Sequence, residues 1–222
     1  MKRFLNFVLK INFKTFYFNF KYLPLKQAVK LPIFISRKVY LKNSSGKIII
    51  DAIAIRTGLI QFGYGEVGIF DNKKSRSIWD VSGIVIFKGI CRIGHGSKIS
   101  VGKNGKLTLG NNFVISAETS IVSHMEIVFG NNCLLSWDIL IMDTDFHKIK
   151  DKQENIINAP KPIIIGENVW VGCRCLILKG TIIANHSVIG ANSIVSKSLE
   201  YSHGLYAGNP CKLIKENISW EE

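Results

Sequence analysis

The chain of 222 residues lacks several signatures that would assign it a chemistry at once. Its five cysteines contain no CxxC pair, and its five histidines show neither HxH nor HExxH spacing. Neither a structural zinc nor a zinc hydrolase is supported, and no metal is expected. No apolar run approaches the ~20 residues of a spanning helix. The apolar stretch after Lys2 and Arg3 is cut by Lys10, and no cleavage site follows it, so no secretory leader is expected. Zinc-finger spacing and an aromatic RNA-binding signature are missing too, which excludes sequence-reading nucleic-acid modules and makes nucleic acid an unexpected partner. Cysteines odd in number, with Cys173 and Cys175 two apart as if on one strand face, point to reduced thiols in a cytoplasmic protein.

Acidic residues are absent before Asp51. Of the net charge of +13, the first fifty residues carry +11. The same segment is aromatic-rich, with Phe4, Phe7, Phe13, Phe16, Tyr17, Phe18 and Phe20 in its first twenty positions. Phe4, Phe7, Val8 and Ile11 follow helical spacing. Residues 1–47 therefore read either as an amphipathic segment on an anionic membrane, peripheral at its inner face, or as a cap over the first turn of the fold.

What the sequence has in abundance is Ile and Val at a period of six. Ile165, Val171, Ile177, Ile183, Ile189 and Val195 are in one phase. The residues after them, Gly166, Gly172, Leu178, Ala184, Gly190 and Ser196, are mostly small. Upstream the phase returns with slips at Ile93 and Ile99, at Leu109, Ile115 and Ile121, and at Phe129, Leu135 and Ile141. Three hexads make one triangular coil: a branched side chain fills the narrow interior and a small residue turns the corner. The expected class is all-β, a parallel β-helix over 48–199. Residues 48–90 would continue it less regularly, around Gly83, Ile84 and Ile86. The tail at 200–222 is expected to hold a short helix with Lys212 and Lys215 on one face.

Three stretches narrow the reading further. IMDTDFHKI (141–149), the repeat run 161–198 and YAGNPCKLIK (206–215) occur in this order. Together they resemble the hexapeptide-repeat acyltransferases, and within them the galactoside, maltose and polysaccharide O-acetyltransferases. The resemblance implies a left-handed helix, a homotrimer with sites between subunits, acetyl-CoA as acyl donor, and a sugar hydroxyl of a surface glycan such as a lipopolysaccharide, or of its precursor, as acceptor. N-acetylation of a nucleotide-linked amino sugar is the alternative within the fold, and a non-catalytic scaffold the alternative outside it. A carbonic-anhydrase-like zinc site from His95, His124 and His147 would need a spacing these residues do not have.

The period breaks at 142–162, an excursion containing Asp143, Asp145 and His147. Insertions into rigid repeats commonly carry function. An alcohol attacks a thioester efficiently only when a base takes its proton, and neutral imidazole suits that task. His147 is the candidate general base, with Asp143 or Asp145 to fix its ring. His124 is the second candidate; His95, at a corner expected to face solvent, His186 and His203 rank lower. For the donor, the resemblance implies Trp170 as an apolar wall, Gly172, Cys173, Ala191 and Ser196 along a groove, and Lys197, Lys212 and Lys215 near its phosphates.

Overall fold

The computed structural model describes residues 10–221. Phe4, Phe7 and Val8, on which the amphipathic spacing of the N-terminus rests, lie outside the described residues. From Ile33 onward the chain winds through three faces in turn. The first face is a nine-stranded sheet, the second seven-stranded and the third six-stranded. Pairing between successive coils is parallel throughout, except for the last two strands. The result is a three-sided parallel β-helix.

Register shows why the six-residue period exists. On the first face Phe62, Ile93, Ile115, Leu135, Val171 and Ile189 stack as direct partners. On the second, Trp79, Ile99, Ile121, Ile141, Ile177 and Val195 do the same. All twelve are buried. Each coil thus adds one apolar layer per face to a continuous core, and each fully buried Ile or Val contributes about 1.5–3 kcal/mol. The slips in the period lie before the third face. There Lys106–Leu109 and Glu126–Phe129 present two inward residues each, Leu107 with Leu109 and Ile127 with Phe129.

Corners require backbone conformations that most residues resist. One column of left-handed positions runs through Asn112, Asn132, Asn168, His186 and His203, with φ of 54–58°. Asn and His tolerate this region better than most residues. Their side chains continue the ladder: Asn112 donates to Asn132, Asn168 meets His186, and the rings of His186 and His203 stack 4.4 Å apart. These two histidines are corner residues. At the next corner Gly172 lies so close to the following coil that a Cβ would meet the Ala191 nitrogen at 2.7 Å.

Three sequence expectations need correction. The helix begins at Ile33, within the segment assigned to a cap. Its first coil is Ile33–Ile35, Tyr40–Ser44 and Lys47–Ile50. Basic outward positions such as Lys42 and Lys47 disguised it. The coil expected around Gly83, Ile84 and Ile86 is present as the strand Ile84–Phe87 on the third face, with Val85 and Phe87 pointing inward. Lys212–Lys215 is a strand paired antiparallel with Leu205–Ala207, not a helix, so the two lysines do not share a helix face. Cys173 and Cys175 are not on a strand: they flank Arg174 in a left-handed turn. All five thiols are free, and burial raises the Cys175 thiol and pushes the Cys133 thiol up to about 12.

The open edge of the first coil is covered by helix α1 (Phe13–Tyr22), whose first turn is capped by the Asn12 side chain. Edge strands expose unpaired amide groups that invite association. Here side chains of α1 satisfy them. Asn19 Nδ2 donates to the Ile33 carbonyl at 2.6 Å, and its Oδ1 accepts from the Ile33 amide. Thr15 Oγ1 accepts from the Ile35 amide. Phe18 closes the core beneath them, 5.2 Å from the Trp79 ring.

Candidate active site

The excursion leaves the second face after Leu140–Met142 and rejoins the third at Ile163–Ile165. It therefore stands at the corner between those faces. Its neck is closed by Asn158, whose Nδ2 donates to Asp145 Oδ2 and to the His147 carbonyl, both at 2.8 Å. The same side chain accepts from the Ile149 amide through Oδ1. Beyond the neck, Lys150 bridges Ile156, and Asp151 turns the tip by accepting from Gln153 and Asn155. A polar loop of twenty residues is thereby given a defined course.

His147 sits at the start of this loop, exposed. Its amide donates to the Asp145 carbonyl at 2.7 Å, and Phe146 before it has a φ of 61°. Thr144 Oγ1 accepts from the Phe146 amide and steadies that turn. Asp145 accepts from Lys179 on the following coil, as well as from Asn158. Those two hydrogen bonds, Lys179 first, hold the Asp145 carboxyl below the usual carboxylate range. Lys179 also donates to the Asn158 carbonyl at 2.6 Å, tying both ends of the excursion to one rigid corner.

Asp143 is wholly buried and does a different job. Its carboxylate accepts from Ser123 Oγ and from the amides of His124, at 2.7 Å, and Met125. Neither Asp143 nor Asp145 touches the His147 imidazole. The expectation that one of them fixes the ring is corrected: a carboxylate on this corner finds nearer donors in backbone amides and in Lys179. His124 is brought to the same corner, its exposed ring 4.9 Å from Phe146.

His95 is elsewhere, and it does not face solvent. It is buried under residues 66–76, with Nδ1 2.9 Å from Ser75 Oγ and Phe70 edge-on to its ring. The segment preceding Ser77 folds over that corner, which the repeat pattern of the sequence does not convey. Among the described residues, no group of three or more His, Cys, Asp or Glu side chains is gathered as a metal site would need.

Of the residues assigned to the donor, Ser196, Lys197 and Lys212 meet around one cleft of about 210 Å³, completed by Val195, Pro210 and Cys211. Lys197 and Lys212 are exposed and form no ion pair among the described residues. A small cleft edged by two unpaired ammonium groups suits a phosphate. Gly172, Cys173 and Ala191 lie together at the corner between the first and second faces, where Asn192 donates to the Cys173 carbonyl. Trp170 is on the first face, its Nε1 donating to Ser136 and its ring 6.1 Å from Trp220. Lys215, exposed, is opposite Leu205 at the end of the returning strand. Within one chain the residues assigned to the donor are thus spread over the first face, the corner between the first and second faces, and the cleft that follows the second face, whereas His147 stands only at the corner between the second and third.

Sequence reasoning missed Asn158 and Lys179. Asn158 looked like one polar residue among many in a loop. Lys179 followed a regular hexad, and only the three-dimensional stacking of Leu178 on Met142 reveals that it adjoins the excursion.

Comparison with known proteins is consistent with this geometry. The family described as bacterial transferase hexapeptide (six repeats) matches residues 162–197. The galactoside O-acetyltransferase of Escherichia coli (strain K12) is 33% identical over 117 residues, spanning 53% of this chain and 56% of that protein. The polysialic acid O-acetyltransferase of Escherichia coli O1:K1 / APEC is 32% identical over 126 residues, spanning 56% of this chain and 38% of that protein. The match thus reaches only about half the length of these curated relatives, or less. The crystal structure of the polySia-specific acetyltransferase NeuO superposes with a TM-score of 0.54 at 26% identity, covering 84% of this chain and 90% of that one.

Proposed function

Because this chain belongs to the hexapeptide-repeat family of left-handed β-helix acyltransferases, we propose that it transfers an acetyl group from acetyl-CoA to a sugar hydroxyl, with His147 as general base. The observation that carries the reading is the corner between the second and third faces. His147 stands there on a clamped excursion, and the lysine-edged cleft of Ser196, Lys197 and Lys212 lies further along the same corner.

Acetyl-CoA supplies the acyl group as a thioester, activated toward an alcohol. The chain supplies the rest. His147 accepts the proton of the attacking hydroxyl, so that no free alkoxide need form. Asn158 and Asp145 hold the backbone on either side of the histidine, and Lys179 fixes both to the rigid coil. They are positioning residues: each acts through the loop. Asp143 fixes the turn at His124 and Met125, which forms the floor of the corner. Lys197 and Lys212 bind phosphate as point charges, without the bidentate geometry arginine would give.

The donor residues Gly172, Cys173 and Ala191 lie at a different corner from His147, so a second copy is needed to bring both corners to one site. This supports a homotrimer whose sites lie between neighbours. Light scattering of the pure protein should give about three times 24.9 kDa; a monomer at micromolar concentration would count against it. The acceptor class is a glycan hydroxyl, in keeping with relatives named for galactoside and polysialic acid. The test is acetyl-labelled CoA with a panel of sugars, oligosaccharides and nucleotide-linked amino sugars, followed by mass analysis. O-acetylated product is expected, and label appearing only on an amino group would overturn the assignment to a hydroxyl.

A further inference from the structure

Helix α1 has two faces with opposite fates. Thr15, Phe18, Asn19 and Tyr22, at i, i+3, i+4 and i+7, face the first coil. Phe13, Phe16, Tyr17 and Phe20, with the same spacing on the other side, face away from it. They are 82%, 45%, 42% and 50% exposed. A soluble surface rarely leaves four aromatic rings in one stripe uncovered, and such stripes mark contact sites. The stripe continues into the next segment, where Leu25 and Val29 are 68% and 59% exposed.

Charge decides what the stripe fits. Lys21, Lys26 and Lys30 are exposed beside it, and none forms an ion pair among the described residues. Lys21 lies over the Tyr17 ring, 5.4 Å from its centroid, so cation and aromatic share one surface. No Asp or Glu occurs anywhere in the first fifty residues. A protein partner would commonly present acids and apolar groups in a fixed pattern, whereas a bilayer of anionic lipid presents both without one. Aromatic side chains favour the interface between acyl chains and headgroups, and lysines beside them are drawn to the lipid charge. No helix among the described residues is long and apolar enough to cross a membrane, so such contact would lie in the interface plane.

From these observations we infer that the outer face of α1, with Leu25 and Val29, is a docking surface for an anionic phospholipid bilayer. The inward face is already committed to capping the β-helix, so docking requires no unfolding of the cap. The surface lies at the N-terminal end of the solenoid, and it stands independently of the acetyltransferase reading. In an assembly whose copies are parallel, the stripes would lie at one end.

The test is co-sedimentation of the full chain with phosphatidylcholine vesicles, alone or mixed with phosphatidylglycerol, at low and high salt. The wild type should pellet with the mixed vesicles at low salt, more weakly at high salt, and remain in solution with phosphatidylcholine alone. Phe13→Ser/Phe16→Ser/Phe20→Ser should weaken pelleting by roughly 10-fold or more. Lys21→Gln/Lys26→Gln/Lys30→Gln should weaken it by about 100-fold. All six side chains point outward, so both variants should keep the wild-type melting temperature and mass. Equal recovery in the supernatant with and without phosphatidylglycerol would overturn the inference. So would pelleting of the aromatic variant at wild-type level. Light scattering that shows end-to-end association, abolished in the aromatic variant and without vesicle binding, would assign the stripe to a second copy instead.

Discussion

Lys179 and Asp145 are thirty-four positions apart in sequence, yet their ammonium and carboxylate groups are in direct contact. The contact joins the excursion carrying His147 to the next coil of the helix. Lys179→Met keeps the stem and removes the charge. Because misplacing a catalytic group by about 1 Å can cost about 100-fold, the variant should transfer acetyl groups some 10- to 100-fold more slowly. Acetyl-CoA affinity, measured by calorimetry, should stay near that of the wild type. A variant with unchanged turnover would show that the clamp is decorative.

The same pair sets a pH expectation. Hydrogen bonds from Lys179 and Asn158 lower the Asp145 pKa in the folded protein. A depressed carboxyl contributes its stabilisation above the unfolded value, about 3.9, and loses it only as pH falls through the lower folded value. Amide exchange across 145–158, corrected for intrinsic rates, should therefore stay constant from neutral pH down to about 4 and accelerate below it. Loss of protection already near pH 6 would contradict this.

The core is a stack in which every layer supports its neighbours. Ile177 pairs with Ile141 and Val195 and is fully buried. Ile177→Ala should destabilise the fold by about 2–5 kcal/mol, since coils bound above and below cannot collapse into the cavity. Ile182→Ala, an outward and exposed position of the same region, should cost well under 1 kcal/mol. Denaturant unfolding of both variants compares them directly.

The proposed phosphate cleft makes a fourth prediction. Lys197→Ala and Lys212→Ala should each raise KM for acetyl-CoA by roughly 10-fold or more, the value of one hydrogen bond to a charged group. Turnover at saturating donor should change little. The penalty should shrink at high salt, where the wild type also binds less well. If KM is unaffected in both variants, the phosphates are held elsewhere.

The coil architecture was legible because its physics repeats: one buried Ile or Val every six residues, from Ile165 to Val195, leaves a periodic trace. The break in that trace pointed to His147. What was hidden depends on contacts that no period encodes. The first coil, Ile33 to Ile50, was masked because its solvent face is basic. His95 resembled an exposed corner residue until the segment leading to Ser75 was seen to cover it. Asp143 and Asp145 were read as partners of an imidazole from proximity in sequence, whereas each had a better donor set on a neighbouring coil. Asn158 became visible only when the folded excursion closed on it, and Lys179 only when stacking placed it beside that excursion.

The central claim is that His147 removes the acceptor proton, and it is tested by the single-turnover acetyl-transfer rate of His147→Asn. Asparagine keeps polarity while removing basicity, and the exposed loop position leaves the core untouched. The rate should fall by roughly 10²–10⁴-fold, the usual contribution of general base catalysis. Mass by light scattering and acetyl-CoA affinity should remain those of the wild type. A variant that folds, assembles, binds acetyl-CoA and transfers the acetyl group at the wild-type rate would contradict the account, and would move the search for the base to His124 on the same corner.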